Sequence, residues 1–194
     1  VLVEMKKMSD TLGESFYFDV HITKDSATVQ EYIDALNAFQ ETYMQSCLGC
    51  GNCSYTRVPL LSIDVWHYLR EFPQLAQTEK PLHAFMSRYG EVVAAGETLD
   101  MQLAKKENGA WIFLQEDDQA WAGYSARGLA CQTYFCLPES VLAKEIRSAV
   151  INQGIDELAR AYLAEEGQDT SAYEKNPYWG KRSYNTVLLK DILP

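Results

Sequence analysis

Basic residues are scarce in this chain: 17 Lys and Arg stand against 27 Asp and Glu, for a formal net charge of −10, and no basic run occurs. That balance argues against a nucleic-acid backbone as the main partner, because phosphate binding needs clustered cations. No apolar run is long enough to cross a bilayer, so no membrane partner is expected. The opening "VLVEMKKMSDTLGESF" lacks the continuous apolar core of a secretory signal, and the chain starts at Val, which leaves room for residues upstream. A soluble, cytoplasmic protein is the expectation. There is no internal repeat, no low-complexity segment and no Ser-His-Asp order; "GCGNCS" is not a dinucleotide fingerprint, and "GKRS" lacks the upstream glycine of a P-loop.

What is present is enough apolar material for a core. With 194 residues, 47% hydrophobic and 12% aromatic, the chain is expected to form one domain over residues 1–194. All five cysteines fall in two clusters: Cys47, Cys50 and Cys53 in "SCLGCGNCSY", then Cys131 and Cys136 in "ACQTYFC". In a reducing compartment such clusters point to metal or redox duty rather than to structural disulfides.

Local patterns place these clusters. Val29, Tyr32, Ile33, Leu36, Phe39, Tyr43 and Met44 recur at helical spacing, and Thr28 and Glu31 are spaced as a capping box, so a helix delivers the chain to Cys47. Gly49 and Gly51 favour a loop there, whose backbone N–H groups can turn toward sulfur. "RVPLLSIDVWHYLREF" reads as a short extended piece and a helix from near Ser62; a further helix opens at Pro81 and stops at Gly90. "EVVAAGETLDMQLAKKENG" fits helix or hairpin, and "AWIFLQEDDQAW" fits a strand, an acidic turn and a return. From Pro138 a helical period runs on, interrupted near Gly154, with Gly167 as its stop. The tail is loop-like and ends in "TVLLKDIL", a terminal strand or helix. The expected fold is mainly α with a small β element: a compact α+β metal-binding domain with a CxxCxxC loop and a later cysteine segment. Its cysteine-rich core spans about 45–136, followed by a C-terminal helical segment and tail over 137–194.

Three thiolates spaced C-x-x-C-x-x-C can reach three corners of an iron–sulfur cubane, and the fourth corner then needs a remote cysteine, Cys131 or Cys136. Zinc is the alternative, although structural zinc sites more often use two C-x-x-C pairs and the second cluster here is C-x4-C. Thiol–disulfide work by Cys47 and Cys50 is a third option that leaves Cys53 without a role. The C-x3-C-x2-C spacing of radical S-adenosylmethionine enzymes is absent, which lowers the expectation of an enzyme.

"CLGCGNCSYTRVPLLSIDVW" followed by "YSARGLACQTYFC" resembles the YkgJ-type family of small cysteine-rich proteins, described as zinc- or iron-chelating and as iron–sulfur binders. The likeness covers roughly residues 45 to 136 in two pieces. It implies that Cys47, Cys50, Cys53 and Cys131 stand on the family's cysteines, Tyr124 on its tyrosine and Arg127 on its arginine. Ser54 replaces a doubled cysteine, Gly128 a proline, and Trp111 and Trp121 two further cysteines, so one four-coordinate site plus a spare thiol remains.

Other candidates have plainer explanations. His21, His67 and His83 are dispersed, and His67 on its helix reads as a polar-face residue. Asp64 suits a helix N-terminus, and Glu116, Asp117 and Asp118 suit a solvated turn, better than paired acid–base catalysis. Arg127 either offsets thiolate charge or forms a salt bridge. Trp66, Trp111, Trp121 and Trp179 read as core or rim aromatics, and "NPYWGKRSY" as a packed tail. The functional expectation is one [4Fe-4S] cluster on Cys47, Cys50, Cys53 and Cys131, with Cys136 as alternative fourth ligand. Its service would be electron transfer, redox sensing or support of a larger enzyme system through a protein partner, with no catalytic residue of its own. The alternative is a zinc-binding interaction module.

Overall fold

The computed structural model describes residues 1–10, 13–44, 53, 55–95, 98–115, 120–121 and 127–193, with the backbone alone described at 10, 95, 98, 120 and 121. The chain opens with a hairpin of β1 (Leu2–Asp10) and β2 (Gly13–His21), registered from Leu2 opposite His21 to Asp10 opposite Gly13. Sequence patterning had not suggested strands here. Phe18 and Val20 of β2 are buried and Val3 and Met5 of β1 pack against the same core, whereas Met8 and Phe16 toward the tip are exposed. The free edge of β2 is partly covered: Phe18 N–H donates to Pro138 O at 3.0 Å and Ser140 N–H donates to Phe18 O at 2.9 Å.

Helix α1 (Val29–Tyr43) has the expected capping box, with Glu31 N–H donating to Thr28 Oγ1 at 3.2 Å and Thr28 N–H to Glu31 Oε2 at 2.9 Å. Its buried stripe of Val29, Tyr32, Ile33, Leu36 and Phe39 matches the helical period. Helix α2 (Ser62–Glu71) also starts where expected, and a short α3 (Pro73–Ala76) precedes α4 (Pro81–Tyr89), which has Pro81 at its first position and Gly90 as C-cap. The ambiguous stretch is a hairpin of β3 (Gly90–Ala95) and β4 (Thr98–Leu103). Met101 and Leu103 are buried while Asp100 and Gln102, between and beside them, pair with Arg57 and Glu91. This alternation has the period of a strand, not of a helix. The extended piece before α2 meets the edge of β4 in an isolated antiparallel bridge, with Leu60 N–H donating to Met101 O and Leu103 N–H to Val58 O, both at 3.0 Å.

The short strands β5 (Leu114–Gln115) and β6 (Ala120–Trp121) pair around an acidic turn that lies outside the described residues. After α5 (Leu129–Gln132) comes the long α6 (Val141–Glu165), then a 3-10 turn at Tyr184–Thr186 and α7 (Leu189–Ile192). Among the described residues this is an α+β arrangement of seven α-helices and three two-stranded antiparallel sheets. It carries more β structure than the single small element expected. Among these residues no helix is long and apolar enough to cross a membrane.

Among the described residues two hydrophobic clusters form the core, and α6 contributes to both: Ile146 and Val150 to one built on α1 and β2, Leu158 and Ala159 to the other, built on α2, α4 and β4. The expected interruption at Gly154 is absent, and α6 runs through it. A Cβ there would stand 2.5 Å from Leu61 Cδ2 and 3.0 Å from Leu61 Cβ. The glycine is thus a close-packing site, where the helix backbone lies on the residue that opens α2. Gly154→Ala should lose about 1–3 kcal/mol to overpacking and regain about 1 kcal/mol of helix propensity. A net loss of up to about 2 kcal/mol is expected in urea unfolding; a stabilised variant would contradict this packing. Gly167 does stop α6, at a φ of 77°, with Gly167 N–H donating to Ala164 O and Gln168 N–H to Leu163 O, the paired bonds of a Schellman cap.

Candidate functional site

Of the first cysteine cluster, Cys47, Cys50 and the glycines between them lie outside the described residues, as do Ser54 and Tyr124; Cys53 is described. It opens a tight turn in which Thr56 donates to Cys53 O twice, from N–H at 3.1 Å and from Oγ1 at 2.8 Å. The stem after it is tied to the β3–β4 region. Trp111 Nε1 donates to Thr56 O at 2.7 Å, Lys105 Nζ to Tyr55 O at 3.0 Å, and Arg57 Nε to Asp100 Oδ2 at 3.0 Å. Cys53 therefore leaves a rigid base, and strand pairing at Val58 and Leu60 continues that base into α2.

Cys131 sits on α5, one turn long and too short to hold itself in place. Gln132 ties it to its surroundings: Gln132 Nε2 donates to Arg127 O at 2.6 Å, and Asn37 Nδ2 of α1 donates to Gln132 Oε1 at 3.3 Å. Thr133 Oγ1 closes the turn on Leu129 O at 2.9 Å. The start of α5 is held by Asp64. This carboxylate is buried, at 1% exposure, and its Oδ1 accepts from Leu129 N–H at 2.9 Å and from Tyr184 OH at 2.5 Å. Its Oδ2 accepts from Leu61 N–H at 3.1 Å, capping α2. The helix-start role expected of Asp64 is present, together with two long-range partners that no local pattern signals.

Cys53 and Cys131 line one cavity of about 420 Å³, with Trp111, Arg57, Tyr134 and Arg147 among its walls. Both cysteines are partly buried and pack against the α2–α4–β4 hydrophobic cluster. Cys136 is exposed and does not belong to the cavity lining. Burial pushes the Cys131 thiol well above the ordinary thiol range; Asp64 and Cys53 add to the rise and Arg127 opposes it. The same neighbours act on Tyr68, raised by burial first and then by Cys131 and Asp64. Cys53, Cys131, Asp64, Tyr68 and Arg127 thus share one electrostatic neighbourhood. Burial raises Asp64 itself to about 6, against the pull of its three hydrogen bonds.

The histidines lie away from the cavity lining. His21 faces Asp19 and Glu4, and His83 faces Glu166. His67 is half-buried, edge-on to Tyr184 with ring centroids 5.5 Å apart, and burial depresses it to about 4, with Arg70 adding to the effect. Among the described residues no three His, Cys, Asp or Glu side chains gather as a metal-ligand group; the described thiols at the cavity are two. Two thiols facing one space can bind a soft metal when further ligands join them, or be oxidised to a disulfide.

Sequence reasoning missed Arg147 and Tyr134 as cavity walls. Arg147 is half-buried on a long helix and pairs with Glu139, and in the sequence it stands among charged residues that read as a solvated face. Trp111, expected as a core or rim aromatic, is buried at 2% exposure and lines the cavity. Trp66 and Trp179 are half-buried, each under a guanidinium, Arg182 and Arg160 respectively, at 4.0 Å from the ring centroid. No family model, no curated protein and no solved structure matches this chain.

Proposed function

We propose that this chain is a metalloprotein holding one [4Fe-4S] cluster through Cys47, Cys50, Cys53 and Cys131, as a member of the YkgJ-type family. The observation that carries the reading is the convergence of Cys53, the last cysteine of the C-x-x-C-x-x-C run, and Cys131, remote in sequence, on a single cavity. The donor set fits such a group. All the donors are soft sulfurs, and the buried Cys131 thiol, costly to ionise alone, is the kind of ligand whose proton a bound cation displaces. Bound there, an iron–sulfur cluster supplies one-electron chemistry.

The chain's own residues then have distinct tasks. Trp111, on the position where the family carries a cysteine, walls the cavity with an indole and uses its N–H to hold the stem of the cysteine loop. Arg127 lends positive charge beside Cys131 and so favours the thiolate form. The site serves electron transfer, redox sensing or a larger enzyme system through a protein partner, without nucleic acid or membrane, in the cytoplasm. Four thiolates leave no open position for substrate, so substrate chemistry at the metal is not expected in this reading. Zinc is the second reading, favoured by the same convergence of Cys53 and Cys131 on one cavity, since thiolates are also the usual donors of a tetrahedral structural zinc site.

Anaerobic purification with iron, sulfide and zinc analysis tests this on the parent chain, Cys131→Ser and Cys136→Ser. Brown protein with matched iron and sulfide, lost in Cys131→Ser and kept in Cys136→Ser, is expected. Stoichiometric zinc in colourless protein would sink the redox reading. Loss only in Cys136→Ser would reject Cys131 as the fourth ligand.

A further inference from the structure

We infer that Asp64 is the positioning residue of the cysteine site, setting Cys131 opposite Cys53 although it is not itself a ligand; the consequence for metal rests on the function proposed above, the positioning does not. The two cysteine segments are held by different parts of the fold. Cys53 belongs to the stem hydrogen-bonded to the β3–β4 region, whereas α5 reaches α1 through Gln132. Asp64 is where these two supports meet. Its Oδ2 holds Leu61 N–H, at the end of the extended piece that follows Cys53, and its Oδ1 holds Leu129 N–H, two residues before Cys131. Tyr184 OH, from the C-terminal segment, completes the set.

Gly128 shows how closely α5 is drawn onto this carboxylate. A Cβ on Gly128 would lie 3.0 Å from Asp64 Oδ2, closer than an ordinary contact. Yet Gly128 has φ −60° and ψ 158°, a conformation open to any residue, proline included. Backbone freedom therefore does not explain glycine at this position; the approach of the carboxylate does. The ring of a proline, which the YkgJ-type pattern carries here, would need its Cβ in the space that Asp64 Oδ2 crowds. Asparagine at 64 would keep an acceptor for Leu129 N–H and present an N–H₂ to Leu61 N–H. Alanine would release all three donors.

The test measures thiol proximity without metal and metal affinity separately. In a full chain carrying Cys47→Ser, Cys50→Ser and Cys136→Ser, only Cys53 and Cys131 remain, and dibromobimane becomes fluorescent when it bridges two neighbouring thiols. Bridging should be fast with Asp64 present, about tenfold slower with Asp64→Ala, and intermediate with Asp64→Asn and Tyr184→Phe, each checked for unchanged circular dichroism. In the chain with all five cysteines, Asp64→Asn and Tyr184→Phe should weaken metal retention against a chelator by about 10–100-fold, the range for residues that orient ligands. Equal bridging rates in folded Asp64→Asn and Tyr184→Phe would overturn the inference, even if Asp64→Ala fails to fold. If bridging depends on Asp64 while the parent chain itself holds no metal, the positioning stands and the proposed function falls. If the parent holds metal and neither variant changes bridging or retention, the function stands and the positioning falls.

Discussion

Asp64→Ala should destabilise the metal-free chain by about 3–5 kcal/mol in urea or thermal unfolding. The substitution strips the acceptor from Leu61 N–H, Leu129 N–H and Tyr184 OH at a site only 1% exposed. A buried donor left unpaired costs about 1–3 kcal/mol, and part of that sum is offset because a buried charge is removed as well. Asp64→Asn gives the sign of the charge effect. Burial raises Asp64 from the ordinary 3.8 to about 6, so the folded chain holds this proton more tightly than the unfolded chain does. The associated stability is complete below about pH 4 and is lost as the pH climbs through about 6, an effect of about 3 kcal/mol for a rise of about two pH units. Stability of the parent relative to Asp64→Asn should therefore increase as the pH falls from 7 to 4. A gap that stays constant or shrinks over that window would mean that the carboxylate is not buried as described.

Glu157→Ala carries the second large effect, a loss of about 2–4 kcal/mol. Glu157 is 3% exposed and accepts from Arg160 at 2.7 and 2.8 Å and from Gly180 N–H at 3.1 Å. Removing one partner of a buried pair costs about 3–5 kcal/mol because the other charge stays behind; here 14% of the Arg160 side chain reaches solvent, which lowers the figure. The loss should also be local. Arg160 lies over Trp179, and Gly180 follows with a φ of 67°, so the pair anchors the tail that goes on to Tyr184. Limited proteolysis should then cut between residues 170 and 183 faster in the variant. Destabilisation with an unchanged cleavage pattern would show that the pair holds α6 and not the tail.

Features carried by a few adjacent residues were legible in the sequence. The Thr28–Glu31 capping box, the start of α2 at Ser62, Pro81 and Gly90 bounding α4, and the Gly167 stop are all where local chemistry puts them. Such signals depend on backbone donors and φ values within one turn, so neighbours suffice to reveal them. The N-terminal hairpin was hard to read because the alternation of Val3 and Met5 on one strand and Phe18 and Val20 on the other is short, and apolar Leu2, Met8 and Phe16 stand exposed beside it. Gly154 misled for the opposite reason: its isolated glycine looked like a break, and the Leu61 side chain that fills its place comes from another helix start.

The candidate site divides along the same line. From cysteine spacing alone came the soft-donor character of the candidate site and the expectation that a remote sulfur joins the C-x-x-C-x-x-C run, since thiol type and loop reach are properties of the chain. The tertiary structure decided that Cys131 shares a cavity with Cys53 while Cys136 is exposed. It also turned Asp64 from a helix-start residue into the junction of α2, α5 and the tail. A carboxylate's sequence neighbours describe only its first turn of helix; which distant N–H and O–H groups it must satisfy is known only once burial has taken water away from all of them.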